Sequence, residues 1–553
     1  MAEKDVFSRQ ATGLVREMAP HHAFLYNMMA VGLTGFTEAV LFGYGPAVLP
    51  GGDVGIALLS VVLAAVPFYA VVSMLASSMP RAGGDYVWQS RILNPAVGFA
   101  SALTAWTVWQ WFFGAFLGSV IVTLGIHPLL SDLAALTGNG TYASVATSLG
   151  SSDATFAITT AILLLGLLIA VKGIKFYVKL QYVLFGGAAL SLLTMLGLLI
   201  SSSHQAFVSS FNAAMSASIG PNAYQTVMAA AASSGISISP QFSGAQTVTL
   251  WAVAWLSLGY AGWSIYNLGE IKRAGVLKLQ FFQILGSFLA IGAIWALTWY
   301  VYSDTLGAAF IHAFNGLMFS ANPGPLSGII SANPTNFFPY AASFPYLISL
   351  LTTNQLLLAI IFLGMAMGLF QVVLIIYFAS TRIMLAASMD RILPKSLSAV
   401  SSGSGAPWVA LLASFVGSEV WLYFVIYRLS SIGSYVASAG FGTEIAYILI
   451  CVTAIVFPFR SRSVYESSPA SRYRVGKMPL VSLLGALALA FNLFLTYEYV
   501  AGPNLFLTYP LAQSDEFVLG LFLACVLFYF AASWFRKRQG VDLRLSYKEM
   551  PPD

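Results

Sequence analysis

Residues 162–169 read Ile162-Leu163-Leu164-Leu165-Gly166-Leu167-Leu168-Ile169, an apolar stretch with no polar alternation. A strand of a transmembrane barrel alternates lipid-facing and lumen-facing residues. This run does not, so it reads as a helix with apolar surroundings on every side. A bilayer core about 30 Å thick takes roughly 20 such residues per helix. The same reading along the 553-residue chain gives twelve runs: 23–49, 54–79, 96–126, 154–172, 176–200, 249–269, 279–303, 355–380, 408–427, 431–457, 479–501 and 517–535. Composition agrees, at 58% apolar and 8% charged, where a soluble domain carries roughly a quarter charged residues. A soluble globular protein, a disordered chain and a nucleic-acid binder are excluded. The first 22 residues are polar and the first run is too long for a signal peptide. Cys451 and Cys525 both lie in apolar runs, giving neither a disulfide framework nor a Cys-based metal site.

Lys and Arg set the expected orientation. With a cytoplasmic N-terminus, all but Arg428 of the 25 basic residues fall on the inner side. The long connections 127–153, 201–248 and 304–354 carry no Lys or Arg. Both termini are therefore expected inside a cell membrane crossed an even number of times. The clusters Arg460/Arg462, Arg472/Arg474 and Arg536-Lys537-Arg538 then read as topology determinants touching anionic lipid headgroups.

Two runs look broken. The first reads Ala30-Val31-Gly32-Leu33-Thr34-Gly35-Phe36-Thr37-Glu38, and the sixth reads Ser257-Leu258-Gly259-Tyr260-Ala261-Gly262-Trp263-Ser264. Each carries two glycines three apart, with an aromatic following the second. Paired interruptions in corresponding helices of two halves point to a transporter's binding site, where unwound N–H and C=O groups face a cavity. Mid-span glycines also serve close helix packing, and that reading stays open on the glycines alone. Tyr260 and Trp263 flank the sixth break, where a ring can close over a ligand.

Glu38 follows the first break. An ionised residue at mid-bilayer costs roughly 2.5–3.5 kcal/mol on insertion scales and is rare unless functional. Glu419, Glu444 and Glu498 fall in the ninth, tenth and eleventh runs. Glu498 reads as interfacial and Glu419 as a shielded polar contact in the bundle. Glu38 and Glu444 are the candidates for proton coupling. The five histidines, His21, His22, His127, His204 and His312, fall outside the runs or at their ends, which argues against a haem or redox subunit.

Further motifs lie between the runs. Ser78-Met79-Pro80-Arg81-Ala82-Gly83-Gly84-Asp85-Tyr86-Val87-Trp88 follows the second, and Gly269-Glu270-Ile271-Lys272-Arg273 follows the sixth. The eighth ends in Ser380-Thr381-Arg382 and continues to Met389-Asp390-Arg391-Ile392-Leu393-Pro394-Lys395, and Gly173-Ile174-Lys175 opens the fifth. In this order they resemble the amino acid–polyamine–organocation permeases over roughly residues 23–460. Met389 and Arg391 depart from the family's pattern, and no Pro follows Arg273.

The resemblance implies an all-α membrane fold of twelve helices, a 5+5 inverted repeat of the leucine-transporter type plus two. The expected organisation is an N-terminal segment 1–22, a first repeat 23–200, an extracellular segment 201–248, a second repeat 249–457, a cytoplasmic loop 458–478, helices 11 and 12 within 479–535, and a tail 536–553. It also implies a secondary transporter, not an enzyme and without cofactor or metal, that moves an amino acid by alternating access. Its partners would be that small molecule, lipids and a coupling ion, either proton or sodium. Polyamine or other amine exchange, and substrate sensing, are the alternatives on the same fold. Substrate would sit against Gly32, Leu33, Thr34, Gly35, Thr37 and Glu38 of the first helix and Leu258, Gly259, Tyr260, Gly262, Trp263 and Ser264 of the sixth. Two placements of the first break, Gly32–Gly35 or Thr37–Ala39, are open. Some proton-coupled members carry a lysine midway along helix 5, and Ala188 stands at that position.

Overall fold

The computed structural model describes residues 13–34, 39–331, 340–428, 439–502 and 511–547. Eleven helices among them are long and apolar enough to cross a membrane. They are α2 (Val54–Ser78), α3 (Pro95–Thr137), α4 (Ser152–Val171), α5 (Ile174–Ser201), α6 (Gly244–Leu258, continued by a tighter turn Trp263–Glu270), α7 (Leu277–Leu306), α8 (Gln355–Met389), α9 (Trp408–Tyr427), α10 (Ala439–Arg460), α11 (Leu480–Val500) and α12 (Leu511–Arg538). The first apolar run is instead divided, into α1 (Pro20–Val31) and a wide-turned segment Ala39–Tyr44 leading into Gly45–Val48. The chain is thus a multi-pass helical membrane protein.

Local chemistry sets the helix ends. Pro20 opens α1, where its missing N–H costs nothing. Asp53, Ser151 and Asn354 cap α2, α4 and α8 by accepting from backbone N–H groups of their first turns. Leu164, Leu165 and Leu168 of α4, Leu190, Leu193 and Ile200 of α5, and Leu523, Leu527 and Phe530 of α12 are exposed. An apolar surface of that extent is soluble only in lipid. The interior is built by α1, α3, α6, α8 and α10, with α5 packed along α8 and α10 along α11.

The connections hold more structure than the sequence reading gave them. Segment 201–248 contains helices His204–Met215 and Ala223–Ser233, and another helix spans Gly140–Leu149. Within 458–478 a two-stranded antiparallel hairpin begins, β1 (Arg474–Val475) and β2 (Met478–Pro479), so the fold is not wholly α. Gly476, at φ +59, supplies the left-handed turn that joins the strands.

One end of the bundle collects buried ion pairs. Arg382 of α8, fully buried, donates to Glu270 at 2.9 Å and 2.7 Å. Arg91, on the short helix Asp85–Ile92, donates to both oxygens of Asp390 at 2.7 Å and 2.6 Å. The Tyr86 hydroxyl adds a third bond to Asp390 at 2.6 Å. Tyr547 of the C-terminal tail lays its ring under the Arg91 guanidinium, 4.9 Å from the centroid. The turn before Asp85 needs its glycines: Gly83 and Gly84 sit at φ +95 and +52, and a Cβ on either would meet Ala386 or Ile265 within 2.9 Å.

Candidate functional site

Helix 6 loses its α geometry where its two glycines stand. α6 ends at Leu258, residues 259–262 form turns, and the tighter helix Trp263–Glu270 follows. An end of this kind leaves carbonyls without intrahelical partners. Two are taken up by tyrosines from other helices. The Tyr69 hydroxyl of α2 donates to the Leu258 carbonyl, and Tyr447 of α10 donates to the Gly259 carbonyl at 2.7 Å. A Cβ on Gly259 would come within 2.9 Å of the Trp255 carbonyl and 3.1 Å of the Tyr447 hydroxyl, so the approach depends on glycine.

Helix 1 leaves its α geometry at Gly32, whose φ of +89 ends α1. The described part of the interruption thus starts at Gly32. Two side chains just before it hold helices 1 and 6 together. Asn27 accepts the Ser264 N–H at 2.8 Å and donates to the Gln283 carbonyl at 2.5 Å. Tyr26 accepts from the Asn267 amide at 3.0 Å and donates to the Ile375 carbonyl of α8 at 3.2 Å.

Between the two breaks lies a small cavity of about 50 Å³. Gly32, Tyr260 and Trp263 line it, joined by Gln110 and Phe113 of α3 and by Leu369 of α8. Apart from Gln110 and Ser257 its wall is hydrocarbon, aromatic ring and backbone. Tyr260 and Trp263 stand edge to face with centroids 4.8 Å apart, and the Trp263 indole N–H has no acceptor.

The other expected residues fall in different places. Gly35, Thr37 and Glu38 lie outside the described residues. Leu33 and Thr34 are buried beside the break without lining the cavity. A Cβ on Gly368 would stand 3.3 Å from both the Thr34 hydroxyl and Ala188, so the helix-5 position meets α8 next to the first break. Leu258 and Gly259 contribute the tied carbonyls. Gly262 faces Tyr69 and Val72 of α2, and Ser264 is bonded to Asn27; neither lines the cavity.

Glu444 is fully buried on α10, and neither of its oxygens has a hydrogen-bond partner. The Trp255 indole N–H that faces it is outside bonding geometry and likewise without an acceptor. Tyr69, Tyr260, Tyr447 and Tyr499 lie within its electrostatic reach, and no Lys, Arg or His among the described residues pairs with it. It does not line the cavity, but its charge would be felt by Tyr69 and Tyr447, which hold the helix-6 carbonyls. Glu419 accepts from Thr160 of α4 at 2.9 Å, a polar contact within the bundle.

Two groups escaped the sequence reading. The Glu270–Arg382 pair joins two motifs that were read separately, and only a contact between helices 6 and 8 links them. Gln110 sits among aromatics in α3 and shows no sequence signal beyond being polar in an apolar run. No protein-family model matches this sequence, and none of the curated proteins matches it either.

Proposed function

We propose that this protein is a secondary transporter of amino acids or closely related organic amines, working by alternating access across a cell membrane with both termini cytoplasmic. On this reading helices 1–5 and 6–10 are inverted repeats, and substrate binds between the breaks of helices 1 and 6. The observation that carries it is the coincidence of both breaks on one cavity, with Gly32 on one side and Tyr260 and Trp263 on the other. Unwound backbone offers N–H groups to a carboxylate and carbonyls to an ammonium. The hydrocarbon wall suits an apolar side chain.

The test is uptake of a radiolabelled amino-acid mixture into proteoliposomes, with and without an inward proton gradient. Accumulation that grows with the gradient supports proton-coupled amino-acid transport. Uptake indifferent to the gradient points to exchange, to facilitated flux or to sodium, separated by preloading the vesicles or adding sodium. Absence of uptake and of exchange by folded protein, with polyamines and other amines included, overturns the reading.

A further inference from the structure

Four buried carboxylates sit at or near the helix-6 break and the bundle end below it, and they are treated differently. Glu270 and Asp390 each face an arginine. Glu444 and Asp85 do not. Asp85 lies in the connection between α2 and α3, outside the membrane-spanning segments, and is fully buried. Its Oδ2 accepts from the Trp106 indole at 2.9 Å and from the Gln89 amide at 3.1 Å, and its Oδ1 has no partner. A carboxylate given this little compensation is held near the balance between its charged and neutral forms.

Its contacts lead to the break in helix 6. Trp106 stands in a wide π-type turn of α3, Thr104–Val108, a geometry frequent at functional sites. Its ring touches Trp263, Tyr266 and Tyr447, with centroids 5.8, 5.8 and 5.4 Å away, and Tyr260 at 6.5 Å. Trp263 and Tyr260 line the cavity, and Tyr447 holds the Gly259 carbonyl. Gln89 also reaches the Ala446 carbonyl of α10 at 3.4 Å, two residues from Glu444. One carboxylate therefore anchors the indole that braces the lower side of the break.

We propose that Asp85 is a proton-binding site whose protonation state sets the position of Trp106 against the helix-6 break. Ionised, Asp85 holds the indole N–H by a charge-assisted bond, roughly twice as strong as a neutral one. Protonated, it gives up that charge and part of its accepting capacity, the indole is released, and this end of the cavity loosens. The direction is fixed: acid on this side frees Trp106, alkali locks it. Burial pushes the Asp85 carboxyl up to about 7, against the opposing pull of the neighbouring Trp106 and Tyr266. The titratable and charged groups on the elements that hold it or pack against it are Tyr266 from the end of helix 6, Glu444, Tyr447 and Arg460 from α10, and the pairs Arg91–Asp390 and Arg382–Glu270 involving α8. Tyr86 is bonded to Asp390. Both pairs are internally neutral, and the segment Pro95–Leu103 packed on the short helix has no titratable residue.

The inference extends the transport reading to its gating, but proton binding is read without any substrate, so the two stand or fall separately. The measurement is intrinsic tryptophan fluorescence of the purified full chain in lipid nanodiscs, scanned from about pH 5 to about pH 9. The parent is expected to show a transition centred near 7 that disappears in both Asp85→Asn and Trp106→Phe. A transition of unchanged midpoint and amplitude in Asp85→Asn, or none in the parent, overturns the proposal. Should Asp85→Asn not fold, difference infrared spectra of parent protein with isotope-labelled aspartate replace it. A protonated-aspartate carbonyl band that vanishes on raising the pH through the same window is expected, and its absence overturns the proposal equally.

Discussion

The Tyr447 hydroxyl donates to the Gly259 carbonyl at 2.7 Å, so α10 supplies the hydrogen bond that the broken turn of helix 6 cannot make for itself. Tyr447→Phe leaves that carbonyl buried and unpaired, a loss of about 1–3 kcal/mol. Thermal denaturation of the purified variant is expected to begin at a lower temperature than in the parent, with the helical signal of the folded state unchanged. Equal thermal stability would mean the carbonyl finds another donor.

Gly259→Leu drives a side chain into the Trp255 carbonyl and Tyr447, and Gly32→Leu forces a left-handed φ on a residue that avoids it. Each is expected to lower uptake at least about tenfold, a loss of ~1.4 kcal/mol or more, in protein that stays monodisperse. Parent-like uptake by both variants would remove the breaks from the binding site.

Glu444→Gln keeps the shape of a side chain that has no bonds to lose, so its fold is expected to survive with unchanged melting. If Glu444 carries the coupling proton, the variant loses gradient-driven accumulation and keeps exchange in preloaded vesicles. Glu38→Gln, tested beside it, separates the two acids: the one that carries coupling is the one whose removal abolishes the response to the gradient.

The Arg382–Glu270 pair is buried on both sides. Arg382→Met alone strands a carboxylate and is expected to cost about 3–5 kcal/mol, while Arg382→Met with Glu270→Met recovers most of that loss. A double variant no more stable than the single one would show that the two side chains act independently.

Asp85 also predicts how stability varies with pH. Its folded-state value near 7 lies above the ordinary 3.8, so between these limits the folded protein binds a proton that the unfolded chain does not. Stability then falls as pH rises through that window, by at most about 1.4 kcal/mol per pH unit for one group. Asp85→Asn is expected to flatten this part of a melting-temperature profile. A parent and variant with parallel profiles across the window would contradict the assignment.

Membrane helices were the legible part of this chain, because a lipid-facing helix must be apolar along its length, as in Ile162–Ile169. Both interruptions were legible too, since Gly32 and Gly259 mark where α1 and α6 end. What the sequence could not separate was which break residues line a cavity and which pack, because that depends on the rotation of each helix. Gly262 and Trp263 are adjacent, yet one meets α2 and the other the cavity. Asp85 and Arg382 sat unremarked inside motifs, since the partners that give them meaning are more than 20 and more than 100 residues away in the chain. The helices in 201–248 went unread because their small polar residues carry little of the apolar signal that identified the spans.

The stacking of Tyr547 beneath Arg91 has a consequence for biogenesis. The cluster it completes draws on the connection after α2, the end of α8 and the short helical turn Leu543–Tyr547. Tyr547 is synthesised 461 residues after Tyr86, so while the intervening helices are being made this end of the bundle stands unfinished in the membrane.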